Sequence, residues 1–297
     1  MDTIASATAG YTTLGLGFGR APLMFRTATG TILGYLEEEL QLAERPSFLA
    51  TVYRTAKPFP HLILHNLFPA ERLDGLVREI ASLPEEEWVI HDEEHLSKAN
   101  LRSAVDLGEN GKRHVALLHS AEFLYLISEI TGIWGLLPDP YLAGSGYHVF
   151  SSGGRFDLHA DRNLDHNTGL TRRIAMITYL NRDWRNEYGG QLELWATDAS
   201  HCEQVVEPDF NTTILFEVGE HNFHGVRPVQ PPTGVFRRSF ATYFHTVGNA
   251  EGITATPHNS IYAPSIYQHG HIFRKLALDY VIPPGIVRSL RQMKRKM

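Results

Sequence analysis

Cysteine is nearly absent from this chain of 297 residues: Cys202 stands alone, so no disulfide can form within the chain. Long apolar runs are absent too, since no stretch reaches the roughly 18 uninterrupted apolar residues that span a bilayer. The N-terminal segment lacks the positive start of a secretory signal, because Asp2 stands there and Thr12 and Thr13 interrupt the apolar residues. These absences predict a soluble protein of the cytoplasm.

Outside the C-terminal tail, acidic residues outnumber basic ones. The net charge is −6, although residues 286–297 carry five basic side chains and no acid. An acidic body argues against nucleic-acid binding, which favours a basic face on the folded domain. The tail intersperses apolar residues with its charges, which predicts either a solvated, frayed terminus or a peripheral contact with an anionic membrane at its inner face.

Linkers of low complexity are also missing, which favours one domain. We expect an irregular segment at 1–45 with a short helix from Ile32 to Ala43, a single domain at 46–247, and an extension at 248–297 that ends in the basic tail and a short helix. Within the domain, a strand begins at His61 and leads into an amphipathic helix. The helix is indicated by apolar residues at 3.6-residue spacing: Leu73, Leu76, Val77, Ile80 and Leu83. A second helix is predicted from Ala121 to Ile130.

From about residue 144 to 247 the pattern changes to short strands separated by Gly, Asn, Asp and Pro clusters. A short strand from Trp88 to Ile90 precedes this core. The predicted strands of the core are Tyr147–Ser151, Arg155–His159, Arg173–Leu180, Gln191–Trp195, Thr212–Val218 and Val235–Val247. Many short strands with turn signals favour a double-layered antiparallel barrel or jelly roll. The fold class is therefore α+β, mainly β, with N-terminal helices packed on one sheet.

Three side chains within this core have the character of metal ligands: His159, Asp161 and His224. Residues two apart on a strand share a face, so His159 and Asp161 converge if they lie at a strand end. Two imidazoles and one carboxylate on one side of a metal leave opposite positions free, as in non-haem Fe(II) oxygenases. The pair alone is weak evidence in a chain with sixteen histidines. Other polar residues nearby are interpreted as core or loop residues: His148, Asp157, His166 and His221.

Further motifs follow in a fixed order. They are Tyr179-Leu180-Asn181, then Gly189-Gly190-Gln191-Leu192, then His224, and finally Arg237-Arg238-Ser239. Together with His159 and Asp161, this order resembles the prolyl-4-hydroxylase-like branch of the 2-oxoglutarate and Fe(II)-dependent oxygenases. The resemblance covers residues 144–247 and the strand–helix entry near Pro60. It implies a double-stranded β-helix core.

The resemblance also implies roles for individual residues. His159, Asp161 and His224 would be the iron ligands, and Arg237 would pair with the distal carboxylate of 2-oxoglutarate. A buried carboxylate needs a partner, and a guanidinium offers two parallel donors. Supporting contacts to this co-substrate would come from Tyr179 and Ser239, and the alternative anchor is Arg238.

The implied cofactors are Fe(II) and 2-oxoglutarate, with ascorbate as reductant. The implied reaction uses O2 to hydroxylate an unactivated C–H bond and releases succinate and CO2. The carboxylate of Asp161 favours hydroxylation over halogenation, because halogenating relatives have lost it. Desaturation of the substrate stays an alternative to hydroxylation. Two other classes remain: a cupin-like isomerase or zinc hydrolase with the same triad, and a non-catalytic binding module.

The substrate is the least defined element. Charged and polar residues cluster around the first two ligands, which predicts either surface loop charge or recognition of a polar or anionic substrate. Such a substrate would be an acidic sugar, a phosphorylated lipid head group, an amino acid or a peptidyl residue. The residues concerned are Arg155, Arg162, Asn163, Arg172 and Arg173, while Trp184 and Tyr188 either lie near the substrate mouth or pack under their loop.

Overall fold

Four α-helices form among the residues that the computed structural model describes, which are 40–101, 107–248 and 256–263 together with two short strands near the N-terminus. The helices are α1 (Pro46–Thr55), α2 (Ala70–Ser82), α3 (Glu109–Leu118) and α4 (Ala121–Thr131). The first six strands are β1 (Thr12–Thr13), β2 (Met24–Phe25), β3 (His61–His65), β4 (Trp88–Asp92), β5 (Leu96–Leu101) and β6 (Leu137–Pro138). Those that follow are β7 (Gly146–Phe150), β8 (Arg155–Ala160), β9 (Thr171–Tyr179), β10 (Leu192–Trp195), β11 (Cys202–Val206), β12 (Thr212–Glu217), β13 (His224–Val226), β14 (Arg237–Thr246) and β15 (Ile261–Tyr262).

One antiparallel sheet carries almost all of these strands. Its order is β11-β10-β13-β8-β5-β7-β14-β9-β12-β3. Three further strands pair with members of this series: β4 with β5, β6 with β14, and β15 with β8. The sheet rolls into a nearly closed barrel, in which β5 joins the half that contains β8 and β13 to the half that contains β7 and β14. This architecture confirms the predicted double-stranded β-helix.

The alternation of side chains along the strands separates two apolar clusters. On β9, Ala175 and Tyr179 belong to the cluster inside the barrel, whereas Ile174 and Met176 belong to the cluster shared with the helices. The helical cluster also contains Leu73 and Leu76 of α2 and Phe123 of α4. The helices therefore cover the outer face of the β3-β12-β9-β14-β7 half, as predicted, and leave the interior to the other cluster.

Most of the predicted elements are confirmed within one to three residues at each end. The helices α1 and α3 and the strands β5 and β11 were not predicted. The strand β5 is short and polar and lacks a clear period, whereas α1 has buried residues at helical spacing that the sequence analysis missed. Of the predicted helix Ile32–Ala43, residues 32–39 lie outside the described residues, and residues 40–43 are not helical. Gln41 has a φ of 58°, which an α-helix does not accommodate.

The C-terminal tail (286–297) and its short helix also lie outside the described residues, so its membrane contact stays a prediction. No helix in the described part of the chain is long and apolar enough to cross a membrane.

A buried carboxylate ties the helices to the barrel. Helix α3 begins after Gly108, which offers no capping side chain, and Glu79 of α2 fills that place by accepting hydrogen bonds from the backbone N–H groups of Asn110 and Gly111. The Tyr147 hydroxyl of β7 donates to the same carboxylate at 2.9 Å. A Cβ added at Gly108 or Gly111 would approach the Glu79 carboxylate to 2.6 Å, so glycine is needed at both positions. Glu79 thus joins α2, α3 and β7.

We predict that Glu79→Gln lowers the free energy of unfolding by about 1–3 kcal/mol, because the amide cannot satisfy all three donors that the carboxylate accepts. Chemical denaturation measures this loss. Glu220→Gln is the matched control, since Glu220 is exposed in a turn. Equal midpoints for the two variants would contradict the capping role of Glu79.

Candidate metal centre and co-substrate cavity

Cross-strand pairing brings the three predicted metal ligands together. His159 lies near the end of β8, Asp161 directly follows that strand, and His224 begins β13. In the register of the two strands, His224 stands opposite His159. One ligand atom from each of the three buried residues lies within 4.8 Å of the other two. The Asp161 carboxylate is 3.4 Å from His159 Nε2 and 3.7 Å from His224 Nε2. Three possible metal-ligand atoms therefore surround one point at the end of the barrel.

Backbone carbonyls fix the tautomer of both imidazoles. His159 Nδ1 lies 2.8 Å from the Asp157 carbonyl oxygen, and His224 Nδ1 lies 3.0 Å from that of Asn222. A carbonyl only accepts, so each Nδ1 carries the hydrogen and each Nε2 presents its lone pair to the shared point. Among the described residues, His159 Nε2 has no hydrogen-bond partner. Both rings are thus oriented for metal ligation.

The electrostatics of the cluster favour the protonation states that a cation requires. Burial lowers the pKa of His224 to about 4, and the neighbouring His159 acts in the same direction. Burial alone would raise the pKa of Asp161, but His224 and His159 outweigh it and hold that pKa below its ordinary value. At neutral pH, His224 is therefore neutral and Asp161 is a carboxylate, which are the forms that bind metal.

A tyrosine on β14 holds the second oxygen of the carboxylate. The Tyr243 hydroxyl donates to Asp161 Oδ2 at 3.0 Å. Burial raises the pKa of Tyr243, and the Asp161 charge raises it further, so the hydroxyl keeps its hydrogen. The Arg172 guanidinium lies 4.1 Å from the centroid of the Tyr243 ring and fixes its other side. Tyr243 therefore limits the orientations that Asp161 can adopt.

A cavity opens beside the triad inside the barrel. Its wall is mostly apolar and comes from strands of both halves of the sheet. The polar residues that line it are Lys98, His148, His159, Asp161, His224, Arg237, Ser239, Thr242 and Tyr243. Such a mainly apolar pocket with a few convergent polar groups is typical of a small-molecule site.

The predicted co-substrate anchor, Arg237, lies in this cavity and is only 2% exposed. Its Nε donates to the Gly190 carbonyl at 2.6 Å, and its guanidinium lies about 5 Å from the ring centroids of Phe150 and Tyr179. Among the described residues it forms no ion pair with a carboxylate. A buried cation without an acid is costly, so this position fits the carboxylate of a ligand.

The predicted supporting residues lie on either side of Arg237. Ser239 lines the cavity and pairs across the strands with Tyr179, so both share the face of Arg237. Tyr179 is buried beside the guanidinium, and no hydrogen bond of good geometry satisfies its hydroxyl among the described residues. The contributions of Tyr179 and Ser239 to ligand binding stay predictions.

The Gly189-Gly190 motif makes room for the arginine. Gly190 has a φ of +75°, and a Cβ there would lie 2.7 Å from Arg237 Cδ. Gly189 has a φ of +69°, and its Cβ would lie 2.1 Å from the Pro228 carbonyl oxygen. Both glycines are therefore required by conformation and by space.

The alternative anchor, Arg238, faces away from the cavity. Its guanidinium lies over the Phe236 ring at 5.4 Å from the centroid, and the side chain is half-buried. The alternation along β14 explains the difference, since neighbouring residues of a strand point to opposite faces.

None of the four residues predicted to contact the substrate lines the cavity, and each is engaged with the protein. Arg162 donates to the Ala143 carbonyl, and Trp184 Nε1 donates to the Gly189 carbonyl at 3.0 Å. Arg172 pairs with Asp165 at 3.5 Å. Asn163 donates to the Thr256 carbonyl and accepts from the backbone of His258. Their contact with a substrate stays a prediction.

Sequence reasoning missed three groups that face this cavity. Tyr243 lies six residues after Arg237 on one strand, an even spacing that places both on one face, so the signal was available. His148, which was interpreted as a core or loop residue, lines the cavity with a buried Nε2 that has no partner among the described residues. Lys98 lies on β5, one of the strands that were not predicted.

Comparisons with known proteins agree with this geometry. Residues 145–245 match the 2OG-Fe(II) oxygenase superfamily. Two curated relatives are "Prolyl 3-hydroxylase OGFOD1" of Mus musculus, 27% identical over 225 residues, and "Prolyl 3,4-dihydroxylase OGFOD1" of Ostreococcus tauri, 28% identical over 206 residues. These matches cover 72% and 64% of this chain but only 37% and 38% of the relatives. The domain at residues 145–245 is therefore a 2-oxoglutarate and Fe(II)-dependent oxygenase domain, and its relatives are prolyl hydroxylases.

Solved structures share the fold of this oxygenase. A prolyl-4-hydroxylase of Pseudomonas putida superposes with a TM-score of 0.51 at 20% identity, covering 68% of this chain and 100% of that one. A prolyl hydroxylase of Trichoplax adhaerens, in complex with a hypoxia inducible factor peptide fragment, gives 0.53 at 16% identity and covers 71% and 92% of the two chains. At these identities the likeness shows the double-stranded β-helix alone.

The residues of this oxygenase fit both of the cofactors that the family uses. Two oriented imidazole lone pairs and one carboxylate match the ligand set of Fe(II). A buried guanidinium without an acid matches the distal carboxylate of 2-oxoglutarate.

For the co-substrate anchor, we expect Arg237→Gln to weaken the binding of 2-oxoglutarate at least about tenfold, because a charge-assisted bidentate pair is lost inside the barrel. Arg238→Gln changes the neighbouring residue on the opposite face and should leave the affinity unchanged. Calorimetry on the Mn(II)-loaded protein measures both. The reverse outcome, with loss only in Arg238→Gln, would transfer the anchor to Arg238.

For the hydroxyl that holds Asp161, we expect Tyr243→Phe to weaken metal affinity by about 10- to 100-fold, as is typical when a partner of a ligating group is removed. The variant keeps the aromatic ring against Arg172. Tyr141→Phe is the control, since Tyr141 is 59% exposed. Titration with Mn(II) and Fe(II) gives the affinities, and thermal unfolding reports stability separately. An unchanged metal affinity would show that the hydrogen bond does not position the carboxylate.

Proposed function

We propose that this oxygenase hydroxylates proline residues of a protein or peptide substrate. The observation that carries the proposal is the pair of curated relatives, both of which are named as prolyl hydroxylases. This chain spans a little over a third of their length. The proposal therefore concerns the reaction of the domain that they share.

The arrangement of arginines weakens the reason for expecting an anionic sugar or lipid. Three of the four arginines of the predicted basic cluster pair with acids of the protein itself. Arg155 pairs with Asp157 at 3.4 Å, Arg172 with Asp165 at 3.5 Å, and Arg173 with Glu217 at 3.8 Å. Arg162, the fourth, donates to the Ala143 carbonyl. The cluster therefore offers little attraction for an external anion, whereas a prolyl residue carries no charge that it would need to recognise.

Bound Fe(II), together with 2-oxoglutarate and O2, supplies the oxidant that inserts oxygen into a C–H bond and leaves succinate and CO2. The protein's part is geometric. His159, Asp161 and His224 would hold the metal from one side and leave the cavity side free, while Arg237 would place the co-substrate by its distal end.

The apolar wall shields the reacting centre from water. The ring of Phe156 stacks on His159 with centroids 3.7 Å apart, and Phe216 lies 4.7 Å from His224. These rings cover the ligands from the barrel interior and exclude competing water from that side.

To test the proposal, we expect the protein with Fe(II) and 2-oxoglutarate to release succinate in the presence of proline-containing peptides, and the peptide to gain the mass of one oxygen. The same peptides with alanine in place of proline should give no gain. Asp161→Ala should abolish both signals, because one metal ligand is removed.

Anionic glycans and phosphorylated lipid head groups form the competing arm of the same screen. Turnover with one of these, and none with any prolyl peptide, would contradict the proposal and restore the anionic substrate.

A further inference from the structure

Strand β5 carries a lysine into the barrel close to the metal ligands. β5 pairs with both β7 and β8, with Asn100 opposite His148 and Leu96 opposite Phe156. Lys98 lies between these two pairs on the same face of the strand, and its side chain lines the cavity. Its Nζ is 5.5 Å from the centroid of the Phe156 ring, which stacks on His159. Lys98 therefore stands at the metal end of the cavity.

No acid of the described chain neutralises this lysine. Lys98 forms neither an ion pair nor a hydrogen bond with any described residue, although it is partly buried. Burial lowers the pKa of Lys98 to about 8, Arg237 adds to the lowering, and only the charge of Asp161 opposes it. A cation kept in such a place is stabilised when a ligand brings negative charge.

The cavity thus presents two cations at separate positions. Arg237 contacts Phe150, Tyr179 and Gly190, whereas Lys98 contacts Phe156 beside His159. 2-Oxoglutarate carries one carboxylate at each end. Arg237 fits the end far from the metal, so the remaining carboxylate, next to the keto group, falls where the metal and Lys98 are.

We propose that Lys98 is a co-substrate-binding residue that pairs with the carboxylate adjacent to the keto group of 2-oxoglutarate. The inference rests on the proposed use of 2-oxoglutarate at this site and adds a second ionic anchor to it. It is independent of which molecule is hydroxylated.

Two ligands separate the two anchors. 2-Oxopentanoate has the carbon chain of 2-oxoglutarate and its keto acid but a methyl group in place of the distal carboxylate. We expect Lys98→Met to weaken the binding of both ligands to the Mn(II)-loaded protein by the same factor, about tenfold. Arg237→Gln should weaken only 2-oxoglutarate. Lys98→Arg, which keeps the charge, should retain most of the affinity.

The controls exclude indirect effects. Lys112→Met removes an exposed lysine of α3 and should leave both affinities unchanged. Mn(II) affinity, measured without co-substrate, should be no weaker in Lys98→Met than in wild type, because a neighbouring positive charge is removed. If Lys98→Met fails to fold, Lys98→Gln replaces it with a polar side chain.

Unchanged binding of both ligands in Lys98→Met would overturn the inference. So would a loss confined to 2-oxoglutarate in that variant, because it would place Lys98 at the distal end. Failure of the wild type to bind 2-oxoglutarate would refute the proposed use of this co-substrate as well. Failure to hydroxylate prolyl peptides, with binding intact, would concern only the proposed substrate.

Discussion

The site depends on one constraint. Charged side chains are buried inside the barrel without a partner of opposite sign, so they need a ligand to neutralise them. Arg237 is almost fully enclosed without an acid, and Lys98 is partly enclosed in the same condition. Asp161 is buried between two imidazoles. Groups of this kind destabilise a folded protein unless a ligand satisfies them. Binding of the metal and the co-substrate should therefore stabilise the fold, because both ligands bind the native state alone.

Regular strands rather than loops hold these groups in place. His159 and His224 face each other across one ladder, and their rings are fixed by carbonyls two residues earlier in the chain. The helices contribute indirectly: the Glu79 carboxylate fastens α2 and α3 to Tyr147 of β7, the strand that also presents His148 and Phe150 to the cavity. The contacts that stabilise the fold therefore also support one wall of the site. Such support preserves geometry to a fraction of an ångström, which ligation and catalysis require.

The parts of the site that depend on local spacing could be predicted from the sequence. The His-x-Asp pair and the alternation of Arg237 and Arg238 follow from the period of a strand, and the structure places these residues accordingly. The helix at residues 70–82 follows from its apolar stripe. Lys98 could not be found in this way, because the polar sequence of β5 gives no period and its partners lie about fifty residues further along the chain. The ion pairs of Arg172 with Asp165 and of Arg173 with Glu217 could not be predicted for a similar reason, since they depend on the folded arrangement of the strands.

Charge balance in the cavity bears on what can be hydroxylated there. If Arg237 and Lys98 each take one carboxylate of 2-oxoglutarate, both cations are satisfied, and Asp161 offsets part of the charge of the metal. No fixed charge of the described cavity wall then remains for the substrate, and Arg155, Arg172 and Arg173 outside it are paired with acids. A neutral group is therefore better suited than an anionic one to occupy the space beside the metal. The side chain of proline meets that condition, because it brings apolar surface to an apolar wall and leaves no buried charge without a partner.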